Sequence, residues 1–221
     1  MKFDVIYFLE EFPRLVVKVP FTFLLGCVAF VLAFFLGIVL VLTKSSRWAI
    51  LRQLTRLYVS YFRSTPYITQ LFILYFGLPQ VIPPLREMTA ETALILSIAM
   101  NSSAFISEIL RGALLSVDKG QMEAALSVGL SKLRALREII FPQAFVAALP
   151  SLGNSFINML KSTSMGFTIG VVELLSKAKI GSANSYRYLE SYVAVGLIYW
   201  GMMLVISFAQ KRLEKRCGRF L

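Results

Sequence analysis

19-VPFTFLLGCVAFVLAFFLGIVLVL-42 runs for 24 residues without a charged side chain. At about 1.5 Å rise per residue a helix of that length is about 36 Å long, enough to cross a hydrocarbon core of about 30 Å. The rest of the 221-residue chain agrees: 57% is hydrophobic, the mean hydropathy is +0.71, and 16% is charged, well under the usual quarter. This is the composition of a membrane protein. The sequence contains no histidine, which argues against metal-dependent or histidine-based catalysis. Cys27 lies in the apolar run and Cys217 in a basic tail, so no disulfide or metal framework is suggested. No catalytic or metal-binding residue is expected.

Further spans follow along the chain. Residues 43–64 alternate cations with apolar residues at helical spacing, predicting an interfacial helix that runs into a second span over about 59–79. The proline-rich 79-PQVIPPLREMT-89 reads as a turn between spans. Spans three, four and five are expected over about 91–109, 139–160 and 190–210. The 161–189 segment is too apolar for a plain linker and too broken by glycine for a span, and Gly166 and Gly170 within it suit a turn. The reading is an all-α membrane protein of five transmembrane helices, one domain over 1–221.

The net charge of +11 would suggest nucleic acid in a soluble protein; here it is read against the membrane, and no nucleic-acid partner is expected. Fifteen Lys and Arg fall in the 43–64 region, the middle connection and the tail, against eight on the other side. Basic residues collect in cytoplasmic loops. The expectation is a multi-pass protein with its N-terminus outside and its C-terminus cytoplasmic. The start mixes acids with bases and has no cationic n-region or cleavage site, so it does not read as a removed signal.

The cytoplasmic connection, about 112–138, carries 118-DKGQMEAALSVGLSKLRALREIIFPQ-143. Asp118 reads as an N-cap, Gly129 as the residue ending a helix, and Ser131 as the cap of another. The pattern allows an amphipathic element on the bilayer or a docking element whose small residues permit close approach, and on residues alone both stay open.

Glu123, Ala124 and Ala125, followed by Gly129, Ile139 and Pro142, resemble the EAA loop of ABC importer permeases, with Phe141 where the pattern has leucine. The stretches 63-RSTPYITQLFILYFGLP-79, 108-EILRGALLSVDKGQMEAA-125, 142-PQAFVAALPSLGNSFINMLKSTS-164 and 170-GVVEL-174 are similar to polar amino-acid uptake permeases of the histidine and glutamine type. The likeness runs from about Thr22 onward. It implies a type I importer permease fold, an inner-membrane location, and a loop that docks on a dimer of cytosolic ATPases. It also implies a second permease copy or paralogue and an extracytoplasmic amino-acid-binding protein. No G-x-x-x-x-G-K-[ST] occurs in the chain, so no cofactor is expected here, and ATP and magnesium would belong to the partner.

Polar residues inside spans are expensive in hydrocarbon and are candidates for a substrate path. Gln70, Asn101, Glu108, Asn154, Asn158, Lys161 and Ser162 form that set, with interhelical hydrogen bonding as the competing use. Glu108 suits a substrate ammonium or a pair with Arg111. Where the family usually has KDTS this chain has 161-KSTS-164, which weakens a cationic substrate; KSTS followed by 167-FTIGVVEL-174, with 186-YRYLESY-192 later, resembles permeases of cystine and related sulfur amino acids. The rival class is a secondary transporter driven by an ion gradient, with Glu108 carrying a proton. The short chain, the lack of inverted halves and the loop pattern weigh against it.

Overall fold

A computed structural model describes residues 3–218, and among them every regular element is helical. In chain order these are α1 (Val5–Val16), α2 (Val19–Lys44), α3 (Ala49–Ser64), α4 (Tyr67–Phe72), α5 (Leu78–Val81), α6 (Ala90–Ser116), α7 (Lys119–Ser127), α8 (Lys132–Ala135), α9 (Phe141–Ser162), α10 (Leu174–Ser185) and α11 (Tyr188–Cys217). Lys2 and Arg219, both counted for orientation, lie outside the described residues.

Among the described residues, four helical stretches are long and apolar enough to cross a membrane: α2, α6, the run Lys132–Ile169 containing α8 and α9, and α11. The second expected span is not one continuous helix but a jointed segment, so the count of five transmembrane helices is not confirmed. Thr65 is extended at φ −110°, ψ 147° and Pro66 starts α4 afresh. Proline lacks the amide hydrogen that would continue α3 and disfavours helical backbone in the residue before it. Beyond it, α4, a π-helical turn over Ile73–Gly77 and α5 complete a jointed segment. The other boundaries widen: α6 and α11 extend about a turn or more past their expected ends, since flanking polar residues continue the helix into the interface.

The centre of the bundle is α2 against α6 and α9. Gly26, Ala29, Ala33 and Gly37 of α2 are all buried and recur every three or four residues, so they share one face. That face lets backbones approach closely, the usual basis of helix association in lipid. A Cβ on Gly37 would lie 2.8 Å from Ile106 Cγ2. Leu25, Leu71, Leu94, Ile98, Ile106, Leu152 and Met159 fill the core around this contact.

A second cluster joins α1, α10 and α11 through Leu15, Leu174, Ala178, Ala194 and Val195. The 161–189 segment is therefore packed structure. It consists of a 3₁₀ turn over Thr163–Ile169, Gly170 at φ +88°, and α10. Glu173 caps α10, accepting hydrogen bonds from the Ser176 amide (2.9 Å) and the Tyr199 hydroxyl (2.8 Å) while fully buried. At the other end the Asp4 amide donates to Glu190 (2.9 Å), and Arg187 pairs with Asp4 (3.1 Å).

Candidate functional site: a docking loop and a polar cleft

The connection between α6 and α9 folds as its capping residues dictate. Asp118 Oδ1 accepts from the Gly120 amide at 2.7 Å and starts α7. At the far end the Leu130 amide donates to the Ala125 carbonyl and the Gly129 amide to the Leu126 carbonyl, both at 3.1 Å. This is a Schellman ending, which requires a left-handed residue, and Gly129 supplies it at φ +87°. Ser131 Oγ then accepts from the Arg134 amide and caps α8. A π-helical turn over Leu136–Ile140 leads into Pro142 in the first turn of α9. The wider turn accommodates a residue that has no N–H to give and whose ring would crowd the preceding turn.

Glu123, Ala124, Gly129 and Pro142 are exposed, Ile139 is half-buried, and Ala125 is 3% exposed, packing α7 inward. Apolar side chains of the same connection are turned outward: Val128 is 77% and Leu133 76% exposed. Gln143 Nε2 of α9 donates to Gln121 Oε1 of α7 at 3.3 Å. This bond ties α7 to the helical run Lys132–Ile169 that contains α8 and α9.

The expected path residues divide into three groups. Asn101, Glu108, Asn158 and Ser162 come together, with Arg63, Ser102, Phe105 and Ser155, around a cleft of about 500 Å³. An adjoining concavity of about 430 Å³ shares Arg63, Phe105 and Glu108 and adds Lys44, Arg56, Ser60 and Ser64. Gln70 is buried and occupied within the protein. Its Nε2 shares two hydrogens among the Phe62 carbonyl (3.1 Å), the Thr65 carbonyl (3.1 Å) and Thr65 Oγ1 (2.7 Å), and its Oε1 accepts from Asn101 Nδ2 (2.9 Å). Asn154 and Lys161 are exposed and outside the cleft. The polar residues that α9 turns to the cleft are Ser155, Asn158 and Ser162, of which Ser155 was not among the expected candidates.

Glu108 takes cations on both oxygens. The Lys44 ammonium, from the end of α2, binds Oε1; Arg111 donates to Oε2 from Nη2 at 2.8 Å and Nε at 3.0 Å. The pair with Arg111 is the one its helical spacing suggested; Lys44, 64 residues away in sequence, was out of reach of any local pattern. Arg63, whose guanidinium lies 5.8 Å from the centre of the Phe105 ring, forms no ion pair among the described residues. A cation in an apolar span was the available signal for it. A concavity of about 660 Å³ between α2, α9 and α11 is lined mainly by Phe30, Phe34, Phe145, Leu152, Phe156 and Ile206 and offers a zwitterion little to bind.

Residues 29–219 match the model of the family described as "Binding-protein-dependent transport system inner membrane component". The chain belongs to that family. A probable amino-acid permease of Bacillus subtilis, YxeN, is 41% identical over 96% of this chain and 95% of its own. A probable amino-acid ABC transporter permease of Vibrio harveyi, PatM, is 40% identical over 99% and 98%. A crystal structure of an amino acid ABC transporter with histidines superposes with a TM-score of 0.90, at 34% identity, over 98% of this chain and all of that one. The all-helical, type I importer architecture is the family's fold. The chain is a membrane permease with several apolar helices.

Proposed function

We propose that the protein is the membrane-spanning half of an ATP-driven importer of polar amino acids. The observation that carries this is the exposed α7 of a chain in this family, with Glu123 and Ala124 presented outward and Gly129 closing the helix. A cytosolic ATPase dimer binds ATP and magnesium, docks on α7 and α8, and drives alternating access through α9. The whole chain acts as one membrane domain in the inner membrane, N-terminus outside and C-terminus cytoplasmic, and receives substrate from an extracytoplasmic binding protein.

A second permease copy or paralogue completes the path. Ser151, Asn154 and Lys161 are exposed along α9 outside the cleft. Polar groups facing lipid cost free energy, so this stripe favours a facing permease half. Asn101, Asn158, Ser162, Arg63 and Glu108 line the portion of the path within this chain. The serine at 162 suits a substrate without a cationic side chain, cystine among them.

Glu123 makes no ion pair among the described residues, so its reversal leaves the fold intact. With the ATPase co-expressed and the complex in nanodiscs, Glu123→Lys and Ala124→Arg are expected to lose the ATPase on purification, or to lose substrate-stimulated hydrolysis. Uptake that needs no ATPase and collapses with the proton gradient would support a secondary transporter instead. Against that rival, both oxygens of Glu108 are engaged by cations.

A further inference from the structure

The cleft and its adjoining concavity hold one carboxylate, Glu108, against Lys44, Arg56, Arg63 and, from outside the lining, Arg111. That carboxylate is occupied on both sides. Arg63 offers a guanidinium fork that matches a carboxylate in a bidentate way. Asn101 has both amide hydrogens committed, to the Phe62 carbonyl at 3.0 Å and to Gln70 Oε1 at 2.9 Å. What remains of that side chain at the cleft is its Oδ1, an acceptor. The two ends of an amino-acid zwitterion thus find a donor and an acceptor, while a third, cationic group finds no free carboxylate.

We propose that Lys44 is a specificity-determining residue: its ammonium fills the place on Glu108 that a cationic side chain would take, so the cleft accepts neutral and anionic amino acids and refuses cationic ones. This rests on the transport reading above and names its substrate class. Arg63 anchors the α-carboxylate, Asn101 Oδ1 receives the α-ammonium, and Gln70 positions Asn101. The same four cations raise the local potential, so the refusal is electrostatic as well as steric.

The test uses the permease with its ATPase in nanodiscs, without the binding protein, so that the permease's own selection is read. Equilibrium binding of radiolabelled glutamine, glutamate, cystine and arginine is measured on wild type, Lys44→Met, Lys44→Arg, Arg63→Met and the double variant Lys44→Met with Glu108→Gln. A charge-assisted hydrogen bond contributes about 1.5–3 kcal/mol, and about 1.4 kcal/mol is tenfold in affinity. Wild type is therefore expected to prefer glutamine to arginine by about tenfold or more. Lys44→Met shifts that ratio toward arginine by about tenfold, Lys44→Arg leaves it, and the double variant loses the shift. Arg63→Met weakens all four ligands. Equal binding of arginine and glutamine by wild type, or a ratio unmoved in a folded Lys44→Met, overturns the proposal. ATP-driven uptake of the same four amino acids by the wild-type complex in proteoliposomes, with its binding protein supplied, separates the two readings. If uptake is present and the ratio does not move, only the role of Lys44 falls; if no amino acid of the four is taken up with ATP, the transport reading falls and the proposal with it.

Discussion

Pro66 takes one backbone N–H out of the chain, and two side chains compensate for it. The Phe62 carbonyl would have accepted from residue 66 in a continuous helix; it accepts from Gln70 Nε2 and Asn101 Nδ2 instead. A buried acceptor left without a partner costs about 1–3 kcal/mol. Gln70→Leu removes one of the two donors to that carbonyl and the Oε1 acceptor of Asn101 Nδ2, and is expected to destabilise the protein by up to about that amount, read as a fall in unfolding temperature in detergent. Pro66→Ala returns the missing donor, so the same Gln70→Leu change should cost less in that background; an equal cost in both would show that the glutamine acts elsewhere. Gln70 and Asn101 are legible in the sequence as polar residues in a span, which gives no means of telling a backbone lock from a ligand contact. That distinction depends on what Phe62 lacks, eight residues before Gln70 and 39 before Asn101.

Among the helices, the α2–α6 contact depends on small side chains. The first span reads as uniformly apolar, so no periodicity in it marks which face is inside; Gly26, Ala29, Ala33 and Gly37 carry that information as size. Gly37→Val places methyl groups where Ile106 Cγ2 already stands 2.8 Å from a modest Cβ. Overpacking of this kind costs about 1–3 kcal/mol, and the variant should unfold at lower temperature, with Gly112→Val, where a Cβ meets nothing within 4 Å, as the unaffected control for space. The α7–α8 hinge is the opposite case. Its caps, Asp118 and Ser131, and its left-handed Gly129 act within a few residues, and the helix–turn–helix expected from them is the one observed. The π-helical turn before Pro142 was not legible, because it is a compromise between a proline and the continuity of α9.

At the scale of the whole molecule, the count of Lys and Arg sets an orientation that labelling can check. In a Cys27→Ser background, Cys217 near the end of α11 should react with a membrane-impermeant maleimide only after the membrane is opened, and Ile6→Cys, 73% exposed on α1, should react in intact cells. The reverse pattern would overturn the assignment of sides. The packing of α1 and α10 on α11 went unseen in the sequence, since each is short and neither stands alone as a span. By itself the sequence determined the membrane class, the apolar crossings and the helix–turn–helix of the α6–α9 connection, because hydropathy and helix capping are local, acting over one span or one turn. The tertiary structure decided the break in the second span's role, the face α9 turns to the cleft, and the partner of Glu108. These depend on which groups from distant segments meet in a medium without water, where every polar atom must find its partner within the protein.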